Sequence, residues 1–359
     1  MVESVAWRRQ LCQQRAAVGP RISVLQGDFV LSPVNDPSAP SDDDKRRSYF
    51  ALFDQATAHS PDMVVLPETP WFMYLQQGGR YSAWNYKFVR LAAQHHTNIV
   101  VGSLAEQPQP PGTYPAVHRY NSAFVYRPDV REPDRYDKIH LVPFGEYVPF
   151  RYCKRLHWLY RFLNDGPWNP WGRDGFEYSL TAGTEYKAFA MQAPSLSGDA
   201  FRFGVTICYE DVIPDLFRHF VTDRDGKKRV EFMLNISNDG WFGRGPQQPQ
   251  HLVSCAFRAV ENRIGIARAV NTGVSGFLDS DGSWHDLMAD PGDTPRAGGT
   301  GLRVAPVRID RRVTFYSRCG DVFAKACAIL TGLAIGDALM HGVRGWRALR
   351  RSRRPTVGR

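Results

Sequence analysis

Three residues with the chemistry needed for acyl transfer stand in matching strand-end contexts. Cys208 closes FRFGVTIC (201–208) and is followed by Tyr209-Glu210-Asp211 and a stretch of helical character at 211–220. A thiol at a strand-to-helix turn lies near free backbone N–H groups and the positive end of a helix, and both favour the nucleophilic thiolate. Alone, a cysteine after Val-Thr-Ile reads more readily as plain core. A thiol nucleophile also needs a base. His140, after Lys138-Ile139, and His251, at the opening of a helical stretch, both read as structural. Glu68 closes DMVVLPE (62–68), and Lys138 lies in YDKIHLVPFGEYVP. Strand ends on one edge of an α/β sheet converge, and sites form there. A carboxylate base, an ammonium facing a developing oxyanion and a thiolate nucleophile make a workable set for acyl transfer. Each residue singly reads as a surface charge or an ion pair; their matching strand-end contexts set the three apart.

The elements that must position them alternate in type. Residues 21–30 read as a strand, 46–59 as a helix with Phe50, Leu52, Phe53 and Ala56 on one face, and 63–66 as a buried strand. A helix at 86–96, a strand at 98–104 and a strand-like tract at 121–128 follow. The second half repeats the alternation with strands at 201–208 and 231–238, helices at 211–220 and 249–264, and a pair of strands in 266–284 turned at Asp281-Gly282. This order predicts an α/β layered fold without a fixed-period repeat.

Two stretches break the pattern. Residues 71–86 hold six aromatics and residues 152–178 hold eight, among Gly, Pro and Asn. Loops this long and aromatic read either as structural excursions or as loops facing an apolar ligand or a membrane, and the second reading is favoured.

Composition sets outer bounds. The 359 residues are 43% hydrophobic and 23% charged, which excludes global disorder and coiled coil. A polytopic membrane protein is excluded too, since one long apolar stretch is visible, near 322–343. The formal charge of +9 is local: residues 344–359 carry seven Arg and no acid, leaving +2 for the first 343 residues. The basic balance therefore describes a tail rather than a nucleic-acid-binding face. That tail reads as solvated or as membrane-facing, because it directly follows the apolar stretch. The six cysteines show neither CxxC pairs nor zinc spacing, and no metal site is expected. The N-terminus lacks the apolar core of a signal peptide.

Glu68, Lys138 and Cys208, in that order, resemble the Glu–Lys–Cys triad of the nitrilase (carbon–nitrogen hydrolase) superfamily. The words carrying the resemblance are LPE (66–68), DKIHLVPFGEYVP (137–149), GVTICYED (204–211), NISNDGWFG (235–243) and the run 250–282. It covers about residues 21–318, and PFGEYVP with SNDGWFG is similar to the catalytic domain of the apolipoprotein N-acyltransferase family. The resemblance implies an α-β-β-α sandwich followed by an apolar helix. Its segments are an N-terminal arm (1–20), a catalytic domain (21–318), an apolar helix that is a candidate membrane span (319–343) and a basic tail (344–359).

It also implies a reaction: an acyl chain passes from a phospholipid, through a cysteine thioester, to the N-terminal amine of a lipoprotein or lipopeptide. Glu68 is then the base and Cys208 the nucleophile. Lys138 and the Tyr209 N–H stabilise the oxyanion, and Glu146 is a second carboxylate that orients Lys138 or relays protons. Tyr209 and Glu210 support the nucleophile turn, Trp241 shapes the acyl-chain pocket or lid, and Phe242 joins them as a substrate-binding or supporting residue. No metal, nucleotide or nucleic acid is implied. The alternative reading is a nitrilase-type amidase that hydrolyses a small amide; a non-catalytic membrane-associated module is the third, against which the intact triad argues.

The resemblance places the protein at a membrane, the bacterial inner membrane for this family. The apolar stretch is marginal as a span, because Asp337 would cost ~2.5–3.5 kcal/mol at a bilayer centre. The family carries several membrane helices ahead of its catalytic domain. Upstream helices lost from this chain, a separate membrane subunit supplying them, or a divergent enzyme using another acyl donor would each reconcile the difference.

Overall fold

Apolar residues at alternating positions build two sheets packed face to face. The computed structural model describes residues 16–29, 39–113, 115–165, 179–242, 245–288 and 298–352, with the side chains at 241–242 and 345–352 left aside. In β1 (Ala17–Gln26), Ile22 and Val24 enter the core between the sheets, while Leu25 turns to the opposite face. In β5 (Asn98–Pro108), Val100 points inward and Ile99 and Val101 outward. This is the period of two that a strand imposes.

The first sheet has β1, β2 (Met63–Val65) and β5 running parallel, with β14 (Gly301–Ile309) antiparallel to β1 on one side. β6 (Val117–Tyr126) and β7 (Asp134–Asp137) extend it antiparallel on the other. A short hairpin, β3 (Tyr74–Gln77) and β4 (Arg80–Tyr81), joins the same edge of β5 as β2 does, further along the strand. The second sheet centres on parallel strands β9 (Asp199–Ile207), β10 (Phe232–Ser237) and β11 (Gly265–Val270). β8 (Phe189–Ala193), β12 (Gly276–Leu278) and β13 (Trp284–His285) flank them antiparallel.

Helices cover both outer faces. On the first sheet, α1 (Asp42–Thr57) and α2 (Ala83–His95) bury Leu52, Phe53, Phe88 and Ala92. α1 starts where the sequence dictates: Ser41 accepts from the Asp44 N–H and the Asp44 carboxylate accepts from the Ser41 N–H, with three acids in the first turn. On the second sheet lie α4 (Pro214–Val221), with Phe217 and Phe220 buried, and α5 (Gln247–Asn262), with Leu252, Cys255 and Ala259 buried. The architecture is the expected α-β-β-α sandwich.

Several boundaries shift. β1 begins at Ala17 rather than 21, and the helix expected over 211–220 begins at Pro214, because Cys208–Val212 form a 3₁₀ turn first. The aromatic stretch 71–86 is not a free loop. It holds the β3–β4 hairpin, and Trp71 is buried among Tyr49, Phe50, Trp84 and Phe88, leaving Phe72 and Tyr86 exposed. In the second stretch, α3 (His157–Asp165) buries Tyr160 and exposes Trp158 and Phe162. Residues 166–178 lie outside the described ones, as do 1–15 of the arm and 353–359 of the tail.

After α6 (Phe315–Cys319) comes α7 (Val322–Ser352), the one helix among the described residues long and apolar enough to cross a membrane. Phe323, Ile329, Leu330, Leu333 and Leu339 are all exposed, so the helix is not packed into the core.

Candidate active site

The carboxyl ends of β2, β7 and β9 bring Glu68, Lys138 and Cys208 together. Glu68 follows β2 through Leu66-Pro67, and its backbone lies hard against β5. A Cβ on Gly102 would meet the Glu68 Cα at 2.6 Å, so only glycine permits this approach. Cys208 is the first residue of the 3₁₀ turn and has φ +53°, a left-handed conformation uncommon for a side-chain-bearing residue. Such conformations cost on the order of 1–3 kcal/mol and concentrate at functional sites.

Lys138 is almost fully buried. Its Nζ lies 2.8 Å from Glu146 Oε2, 2.9 Å from Glu146 Oε1 and 3.9 Å from Glu68 Oε1. Glu146 also accepts from the Val142 N–H at 2.9 Å, which fixes the loop carrying it. Glu68 accepts from the Asn238 N–H at 3.0 Å.

Burial raises the Glu68 carboxyl above its usual range; Glu146 adds to this and Lys138 opposes it. That makes Glu68 a stronger base than an exposed carboxylate. Burial works against the Lys138 ammonium, but Cys208, Glu68 and Glu146 outweigh it and hold it cationic. Burial and the Glu68 charge push the Cys208 thiol up, with Lys138 opposing. The resting thiol is therefore protonated and needs a base beside it. Glu68 is the carboxylate whose charge acts on the thiol, and Lys138 is the cation that opposes it.

Glu210 ties two of these strand ends together. It is fully buried; Oε1 accepts from the Tyr136 hydroxyl (2.7 Å) and from the Ile139 (2.7 Å) and His140 (3.0 Å) N–H groups. Oε2 accepts from the Ile207 N–H at 2.8 Å. One carboxylate thus clamps the residues after Lys138 to the residue before Cys208. Burial pushes Glu210 up to about 7, against four donors that favour its ionised form. Tyr209 is partly exposed and stacks on His140 with ring centres 6.2 Å apart. Trp241 and Phe242 sit in a 3₁₀ turn (Asp239–Phe242) just after β10; their side chains lie outside the described set.

Sequence reasoning missed Asn121. Its Nδ2 donates to Glu68 Oε1 (2.6 Å) and Glu146 Oε1 (2.9 Å), while its carbonyl accepts the Lys138 N–H at 2.8 Å. Its side chain thereby links the two carboxylates and its backbone carbonyl holds the Lys138 main chain, but a lone asparagine opening a strand-like tract gives no spacing to notice. It also missed Arg268, fully buried within β11. There a signal existed: an arginine inside the apolar tract IARAV must have partners.

The carbon-nitrogen hydrolase family model matches residues 47–293. This chain belongs to the carbon-nitrogen hydrolase family. Among curated members and relatives, the apolipoprotein N-acyltransferase of Geobacter metallireducens is 34% identical over 326 residues, covering 89% of this chain and 55% of the relative. That of Bordetella bronchiseptica is 29% identical over 297 residues, covering 79% and 47%. The chain spans about half the length of these relatives. Saccharomyces cerevisiae Nit3, of the nitrilase superfamily, shares the fold at a TM-score of 0.52 and 16% identity, covering 83% of this chain and 92% of that one. A nitrilase-superfamily amidase from Nesterenkonia shares it at 0.51 and 15%, covering 87% and 97%.

Proposed function

We propose that this chain is the catalytic part of a membrane-associated N-acyltransferase that moves a fatty acyl group from a phospholipid to the N-terminal amine of a lipoprotein. The observation that carries the reading is a half-open thiol served by a buried carboxylate and a buried ammonium, in a chain so similar to enzymes of that name. In the first half-reaction Glu68 takes the Cys208 proton and the sulfur attacks the ester carbonyl. Lys138 and the Tyr209 N–H stabilise the tetrahedral oxyanion. The C–O bond breaks, the lysophospholipid leaves with the proton from Glu68, and a thioester remains.

In the second half-reaction the acceptor amine attacks the thioester. Glu68 takes the amine proton, the C–S bond breaks, and the thiolate recovers a proton. Glu146 holds Lys138, and Glu210 holds the nucleophile turn. Water must be kept out between the two halves, or the enzyme becomes a hydrolase. The exposed apolar α7 suits a bilayer location for the donor.

Intact mass spectrometry tests this. Phospholipid without an amine acceptor should add one acyl chain, mapped to Cys208 and released by hydroxylamine. Subsequent lipopeptide should take up the acyl group as an amide. Acylation at another cysteine, or no acylation together with hydrolysis of small amides, would remove the proposal in favour of the amidase.

A further inference from the structure

Behind the nucleophile turn lies a closed ring of four charged side chains to which the reaction above assigns no task. Arg268, on β11, donates through one terminal nitrogen to Asp211 Oδ2 (3.1 Å) and through the other to Asp239 Oδ2 (3.0 Å). His251, on α5, lies between the remaining carboxylate oxygens, 2.7 Å from Asp211 Oδ1 and 2.8 Å from Asp239 Oδ1. Arg268, Asp211 and Asp239 are fully buried, and the His251 side chain is nearly so. Asp211 belongs to the turn that begins with Cys208, and Asp239 begins the turn that carries Trp241. The ring thus ties the nucleophile turn to the turn after β10.

A buried ring of ions is a poor device for stability alone, because desolvation offsets most of the attraction and apolar packing does as well. This ring, moreover, reaches the thiol. The Ser237 hydroxyl donates to Asp239 Oδ1 at 2.6 Å, and Ser237 stands beside Cys208, since the residues before them, Ile236 and Ile207, are partners across the parallel β10–β9 pair; there the hydroxyl favours the thiolate while the Asp239 charge opposes it. One hydroxyl proton therefore faces two acceptors. Where His251 and Arg268 neutralise Asp239, that proton is free to turn to the thiolate. Where Asp239 is left with an uncompensated charge, it keeps the proton and its field opposes the thiolate.

The geometry points to the Arg268–Asp211–His251–Asp239 ring as a positioning device that sets the reactivity of Cys208 through Ser237, with His251 as its second cation. The groups facing His251 are the two carboxylates and Arg268; Cys255, one turn along α5, meets Asp211 and Arg268. Burial and Arg268 oppose an imidazolium there, but Asp211 and Asp239 outweigh them and raise His251 to about 9. At neutral pH the ring then holds two cations and two anions. Gly273 completes the fit: a Cβ there would meet Asp239 Oδ2 at 2.8 Å.

This inference rests on the proposed function only in taking Cys208 as the nucleophile. Its test needs neither acyl donor nor acceptor. Iodoacetamide modification of Cys208 is followed by peptide mass as a function of pH. His251→Gln keeps a donor but removes the charge. It should slow modification at pH 7.5 about tenfold, as a one-unit rise in thiol pKa requires. Adding Asp239→Asn restores the charge balance and should return most of the rate. An unchanged rate in the single variant, or a double variant as slow as the single, overturns the proposal. If the variants fail to fold, histidine NMR of the wild-type protein still decides: His251 should be an imidazolium at pH 7.5, and a neutral ring overturns the proposal.

Discussion

Lys138 faces two carboxylates but sits closer to Glu146, at 2.8 Å, than to Glu68, at 3.9 Å. The pairing divides the labour between them. Glu146 holds the ammonium by the shorter contacts, and its own charge helps raise the Glu68 carboxyl against the pull of Lys138. Glu146→Gln should let Lys138 turn to Glu68, lower its basicity and cut acyl transfer by ~100-fold or more, within the range typical of lost general-base assistance. Glu68→Gln should cost at least as much. Both rates are read with the fold checked by circular dichroism; near wild-type turnover in Glu146→Gln would reduce Glu146 to a loop anchor. Glu68 and Cys208 were legible in the sequence because each closes an apolar tract, Lys138 through its strand-end context and Glu146 through the resemblance, and their side chains lie close together in the structure. Asn121 was not, because its role lies in where β6 sits beside β7 rather than in any local pattern.

At the scale of elements, the strands that sequence patterning found are those with unbroken apolar runs. β14 escaped because GLRVAPVRI mixes arginines with Pro306; it lies at the edge of its sheet, where a residue without an N–H is tolerated. β7, DRYD, escaped because only Tyr136 in it is buried. α5 was found, yet its His251, read as structural, proves to join two turns of the site. That placement has a pH signature. The folded state holds the His251 proton more tightly than the unfolded chain, about 9 against an ordinary 6.5. Its contribution is therefore complete below pH 6.5 and is lost as pH rises through 9, with a full amplitude on the order of 3 kcal/mol. Glu210 also carries a raised value, near 7, so part of its own loss falls at lower pH. The difference in urea midpoint between wild type and His251→Gln isolates the histidine. It should shrink from pH 6.5 to 9.5; a difference constant over that window would mean the ring holds no second proton.

For the whole molecule, the decisive contrast is between the packed sandwich and α7, whose apolar side chains from Val322 to Val343 face outward. Twenty-three residues, Val322–Arg344, reach about 34 Å as a helix, close to the thickness of a bilayer's hydrocarbon core. Asp337 lies within that length, and His341 one turn on is 3.3 Å from its carboxylate, so the acid does not stand alone. Seven arginines follow in 344–359, each contributing ~1 kcal/mol near an anionic surface. Binding to anionic vesicles should then have two parts. The arginine part weakens with salt, since exposed charges are screened beyond about 8 Å at physiological ionic strength. The helix part persists. Deleting 321–359 removes both while keeping α6, whose Ser317 hydroxyl donates to Asn262 Oδ1 at 3.0 Å and holds it to α5. The truncated protein should stay folded, modify Cys208 at the wild-type rate with iodoacetamide, and no longer float with vesicles. If truncation slows Cys208 modification, α7 acts on the site itself rather than on its location. If the full chain fails to float even at low salt, the donor must reach Cys208 from solution, and a soluble amide or ester becomes the better substrate.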